Sequence, residues 1–79
     1  MIIEYSKNAM KSIRKMDSRV KDRVKEAIEK LPGGNIRKIA AYNHLYRLRV
    51  GDYRVLFEMY DDGIFIDDVL PRGQAYKNI

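Results

Sequence analysis

The segment from Tyr46 to Met59 constrains the fold of this chain more than any other. Tyr46, Leu48 and Val50 alternate with Arg47 and Arg49; Tyr53, Val55, Phe57 and Met59 then alternate with Arg54, Leu56 and Glu58. A period of two marks a strand with one buried face. Between the two runs stands Gly51-Asp52, a two-residue hairpin connection with glycine in the first central position, as a type II′ turn requires. So short a turn fixes the register. Val50 opposes Tyr53, Arg49 opposes Arg54, Leu48 opposes Val55 and Arg47 opposes Leu56. The apolar set then shares one face, and Arg47, Arg49 and Arg54 share the other.

The remaining segments supply a cover for the apolar face. Ile2 to Tyr5 is short and β-prone, suited to an edge strand. Ser6 is a candidate N-cap, after which Met10, Ile13 and Met16 recur on one helical face as core residues. Asp17 is a second N-cap, which breaks the helix near Met16. Val20, Val24, Ile28 and Leu31 then form a stripe that ends at Pro32-Gly33-Gly34. These two pieces read as a helical hairpin. Asn35 to about His44 reads as a loop. Asp62-Gly63 is a second hairpin signal, and Ile64 to Leu70 a further strand stopped by Pro71. The expected fold is α+β, a single domain over residues 1–79: a helical hairpin packed on one face of an antiparallel four-stranded sheet, in the order β-α-α-β-β-β. One residue conflicts with it. Parity from the Asp62-Gly63 turn puts Ile64, Ile66, Asp68 and Leu70 on the core face, and Asp68 does not belong there unless a bulge or a longer turn moves it.

With 79 residues the chain is small enough to bury only ~60% of its unfolded surface, and it has no cysteine for a disulfide or a thiolate metal site. Sixteen Lys and Arg against 11 Asp and Glu give a net charge of +5. That balance favours a polyanionic partner, nucleic acid or an acidic protein segment. No apolar run is long enough to span a membrane, and the first residues lack the layout of a signal peptide. A cytoplasmic protein is expected.

Fold stability does not recommend the arginine face. Like charges directly opposite across a strand pair cost up to ~1 kcal/mol. Three converging guanidinium groups do suit a phosphate, whose oxygens match their paired donors. Arg72 and Tyr76 follow the last strand, whose end returns near Arg54 and can add a fourth arginine and a phenol. These residue types match metal-free RNA cleavage. There the ribose 2′-hydroxyl attacks the adjacent phosphate, helped by a base, an acid and positive charge at the phosphorane. A tyrosine serves as the base only where nearby cations lower its pKa from ~10.

The block from Leu45 to Glu58 resembles the central hairpin of the RelE/ParE toxin superfamily. The tail Pro71-Arg72-Gly73-Gln74-Ala75-Tyr76 resembles its C-terminal motif, a basic residue followed shortly by tyrosine. The resemblance implies a RelE-like, microbial-ribonuclease-type fold and the toxin role of a type II toxin–antitoxin system. For RelE members it implies cleavage of messenger RNA in the ribosomal A site through a 2′,3′-cyclic phosphate. Carried over, Arg47 and Arg49 hold phosphate and RNA, Arg54 stabilises the transition state, Arg72 is acid or charge stabiliser, and Tyr76 is general base. Arginine replaces lysine at 47 and 49, keeping charge but donating protons less readily. The Arg72–Tyr76 spacing is shorter than in some members. The implied partners are a cognate antitoxin, the ribosome and messenger RNA, with no metal and no small-molecule cofactor.

Other residues allow other roles. His44, the only histidine, reads as a loop residue, and Glu58 on the arginine face reads as a counter-ion, although either is an alternative base to Tyr76. Asp61 and Asp62 read as turn residues rather than metal ligands. Two other functions fit the same residues: a ParE-type inhibitor of DNA gyrase without nuclease activity, or an inactive relative that binds RNA or ribosomes.

Overall fold

The computed structural model describes residues 2–73, in the order β1 (Ile2–Tyr5), α1 (Lys7–Arg14), α2 (Ser18–Glu29), β2 (Ile36–Lys38), β3 (Leu45–Val50), β4 (Tyr53–Met59) and β5 (Gly63–Pro71). The strands form one sheet in the order β1-β5-β4-β3-β2. The helices cover one face. Both expected N-caps form: the Ser6 Oγ accepts from the Ala9 N–H at 3.0 Å, and the Asp17 Oδ1 accepts from the Val20 N–H at 3.0 Å. Each satisfies a donor that the first helical turn leaves without an intrahelical partner.

Two features correct the expected sheet. It has five strands, because Ile36–Lys38 inside the expected loop pairs with β3, placing Arg37 opposite Arg47. Three residues are too few to show a period. The sheet is also mixed, since β1 runs parallel to β5 with Ile2 opposite Gly63. The chain leaves β1 through both helices and three further strands before β5 comes to lie beside it.

The β3–β4 register is the one the turn dictates: Arg49 opposes Arg54 and Val50 opposes Tyr53. Gly51 has φ +56°, and no non-glycine residue described has positive φ. That combination suits type II′, since type I′ needs positive φ at both central positions. In β5 a register shift opposite the Leu56–Phe57 step resolves the Asp68 conflict. Ile66 pairs with Phe57, whereas Asp68 pairs with Leu56 and Val69 with Val55. The extra residue returns Val69 to the core, 1% exposed. Asp68 is half-buried, and its Oδ1 accepts from the Ser12 Oγ of α1 at 3.1 Å and from the Val69 N–H at 2.8 Å.

Ala9 and Ile13 of α1, Val24 and Ile28 of α2, Leu48, Val55, Phe57, Ile64, Ile66 and Val69 make the core, with Met16 and Leu31 closing it. Met10 departs from its expected place: it is 49% exposed, and Ala9 takes the contact with the sheet. A small residue there lets α1 approach β5 closely. No helix among the described residues is long and apolar enough to cross a membrane.

Candidate functional site

The face of the sheet away from the helices carries a cleft of about 280 Å³, lined by Asn35, Arg37, Arg47, Arg49, Arg54 and Arg72. Four elements deliver its cations. Arg37 comes from β2, Arg47 and Arg49 from β3, Arg54 from β4, and Arg72 from just beyond β5. Alternation along β3 sends Arg47 and Arg49 to one side, and antiparallel pairing sets Arg49 against Arg54. Arg54 in turn opposes Leu70, and the Arg72 N–H donates to the Asp52 carbonyl at 2.8 Å, pinning Arg72 to the tip of the β3–β4 hairpin. Asn35 is held by its carbonyl, which accepts from the Arg49 N–H at 3.0 Å.

Arg54 is the buried member of the group, 5% exposed. Its Nη1 donates to the Gly51 carbonyl at 3.0 Å and the Tyr53 carbonyl at 2.9 Å, while its Nε is buried without a hydrogen-bond partner among the described residues. Burial, followed by the repulsion of Arg49, Arg72 and Arg47, holds its pKa below the usual guanidinium value, and Asp52 opposes that only in part. Arginine stays charged through such a shift. The result is a fixed concentration of positive charge, oriented by main-chain carbonyls. It suits an oxyanion with several acceptor lone pairs, a phosphate above all.

Further along the same face, Glu58 lies opposite Leu45 and Phe65. Its Oε1 accepts from the Tyr60 hydroxyl at 2.6 Å, and the Tyr60 ring packs on His44 with centroids 4.6 Å apart. Asp67, at the bulge, hydrogen-bonds the Glu58 carboxylate. Burial first, then Glu58, pushes the Asp67 carboxyl up to about 7. The bond from Asp67, then that from Tyr60, holds Glu58 below the usual carboxylate range. Near neutrality Glu58 is the ionised member of the pair.

Arg47, Arg49, Arg54 and Arg72 are thus brought together, and Glu58 shares their face outside the cleft lining. His44 is an exposed residue beside Tyr60. Tyr76 lies outside the described residues. Sequence reasoning missed Arg37 and Asn35, because it treated their segment as loop, and it missed the Asp67–Glu58 pair, which exists only because of the bulge. The single readable sign of Arg37 was another basic residue beside an apolar one in Ile36-Arg37-Lys38.

A family model described as the ParE toxin of the type II toxin–antitoxin system parDE matches residues 3–76. A curated relative, Toxin RelE3 of Methanocaldococcus jannaschii, is 31% identical over 84 residues, spanning 96% of both chains. The solved RelB–RelE antitoxin–toxin complex from Methanococcus jannaschii superimposes with TM-score 0.79 at 28% identity, over 96% of this chain and 98% of that one. The archaeal RelE–RelB complex from Pyrococcus horikoshii gives TM-score 0.72 at 25% identity, over 91% and 94%.

Proposed function

Because the chain belongs to the RelE/ParE family of toxins from type II toxin–antitoxin systems, we propose that it is an endoribonuclease that cleaves messenger RNA in the ribosomal A site. The observation that carries this reading is the arginine cleft. A gathering of five guanidinium groups from four elements costs stability and offers positive charge of the kind a phosphorane needs.

In the proposed reaction the ribose 2′-oxygen forms a bond to the adjacent phosphorus, and the bond from phosphorus to the 5′-oxygen breaks. The proton of the 2′-hydroxyl passes to a base, and the leaving 5′-oxygen takes up a proton. The products are a 2′,3′-cyclic phosphate and a 5′-hydroxyl. Arg47 and Arg49 hold the phosphate, Arg54 stabilises the charge that develops on its oxygens, and Arg72 neutralises or protonates the leaving oxygen. Tyr76 is the proposed base, a role for which a cationic environment that favours the phenolate is required. Glu58, kept ionised by Asp67 and Tyr60, is the alternative base. Antitoxins accompany the relatives in the two archaeal complexes. We propose a cognate antitoxin here too, with an acidic segment over the arginine face.

Expression of the protein without an antitoxin should halt translation and leave messenger RNA cut within codons. Cutting should cease in Tyr76→Phe and fall ~100-fold or more in Arg54→Ala, the range for losing one transition-state donor. Growth arrest with intact messenger RNA would overturn the nuclease reading. A second reading has its own support, since the matching family model is that of ParE toxins. Accumulated double-strand DNA breaks would favour inhibition of gyrase.

A further inference from the structure

The arginine cleft does not end at the sheet. Asn35 and Arg49 also line a second groove of about 330 Å³ on the helix side, together with Arg23 and Glu26 of α2, Lys30 at its C-cap and Gly51 at the hairpin tip. Arg23 is exposed on α2 and held close to the turn. A Cβ on Gly51 would stand 3.3 Å from its Nη2. The same glycine gives its carbonyl to Arg54 on the other side. The hairpin tip thus has Arg54 bonded to its carbonyl and Arg23 close to the bare side of its glycine, and Arg49 lines both grooves.

We infer that Arg23, with Arg49 and Lys30, forms a second phosphate subsite that takes the RNA backbone one or more nucleotides away from the phosphate in the cleft. This rests on the reading of the cleft as an RNA site and names how much of the strand the protein grips. The charge balance supports it. Three cations face one carboxylate, Glu26, which lies four residues before the C-cap Lys30. The C-terminal end of α2 adds about half a negative charge, which leaves the groove positive. A positive groove that tracks a backbone is how sequence-tolerant proteins hold single strands. A polymer with one phosphate per nucleotide fits two clefts that share an arginine better than an isolated anion does.

The test uses RNA probes that cannot react, because 2′-O-methyl groups replace the attacking hydroxyls. One probe is a dinucleotide with a single phosphate; the other is a nine-nucleotide strand. Fluorescence anisotropy with the full chain should show the longer strand binding more tightly. Arg23→Ala should reduce that advantage roughly fivefold at low salt and flatten the dependence of log affinity on log salt by about one unit, the signature of one lost phosphate contact. Arg23→Lys should restore most of the slope, and both variants should melt with the wild type. An equal effect of Arg23→Ala on both probes, or none on either, would overturn the subsite. So would unchanged RNA binding with weakened binding of a nine-residue poly-glutamate peptide, which would assign the groove to a protein partner. A wild type that binds both probes with the expected Arg23 effect yet cuts no RNA retains the subsite while the nuclease reading falls. A wild type that binds neither probe removes both.

Discussion

Arg54 is fastened to Gly51: its Nη1 donates to the glycine carbonyl at 3.0 Å, at the one described position where β3 and β4 are joined by a residue of φ +56°. The turn that sets the register of the arginines is therefore also the anchor of the most buried one. Gly51→Ala puts a side chain into the left-handed region, at about 1–2 kcal/mol, and drives its Cβ toward the Arg23 guanidinium. The expected outcome is a lower melting temperature with weakened RNA binding. Gly51→Asn, a residue that tolerates this conformation, should recover part of the stability. Denaturation melts of the two variants check this, and an alanine variant as stable as wild type contradicts it.

On the proposed reading of the cleft, the opposed pair Arg49 and Arg54 sets RNA binding against stability. Arg49 is exposed and repels its buried partner. Arg49→Thr removes the repulsion and places a β-branched residue in a strand, so stability should rise by up to ~1 kcal/mol. RNA binding should fall in the same protein. Urea denaturation and anisotropy measured side by side test the trade; a variant that is both less stable and unaltered in binding would refute it.

Anions should reveal the same tension without mutation. A ligand that binds only the folded state stabilises it by mass action. Phosphate or sulfate should raise the melting temperature more than chloride at equal ionic strength, beyond the general screening of surface charge. The excess should shrink in Arg54→Ala. Equal effects of the three anions would mean that the cleft holds no oxyanion.

The bulge predicts a pH dependence. Asp67 has a folded pKa of about 7, raised from 3.8, so the folded chain binds a proton that the unfolded chain releases. Stability from this group is complete below pH ~4, is lost as pH rises, and levels off above about 7. Glu58, held low, works oppositely: its contribution is lost as pH falls below its ordinary range. Asp67→Asn keeps the shape and cannot ionise. It should melt like wild type near pH 4 and be more stable above pH 7, by about 1 kcal/mol once solvent screening of this half-buried site is allowed for. Melting curves across that range decide it, and parallel curves would show that Asp67 is not burdened by ionisation.

How far the sequence disclosed this molecule depended on the length of each signal. The β3–β4 hairpin was legible in full, because a period of two around a two-residue turn leaves one register, and with it came Arg47, Arg49 and Arg54 on one face. Both helices were legible from their caps. Arg37 was not, since three residues of strand carry no period and β2 exists only through its pairing with β3. Asp68 signalled trouble correctly, as an acid on an apolar face, but the cure depends on where β4 accepts an extra residue, which is a matter of tertiary fit. The burial of Arg54 was also hidden, for alternation assigns a residue to a face and says nothing of what closes over it.

The position of β5 between β1 and β4 has a temporal meaning. The strand made last among those described fills the sheet's interior gap, and the Ser6–Asp67 hydrogen bond closes a span of 61 residues. Until β5 is in place, β1 has no neighbour and Arg72 has not reached the hairpin tip. The β2–β4 strands gather Arg37, Arg47, Arg49 and Arg54 by their own pairing, but Arg72 joins them only when β5 docks, so the fifth guanidinium of the cleft is the last to arrive.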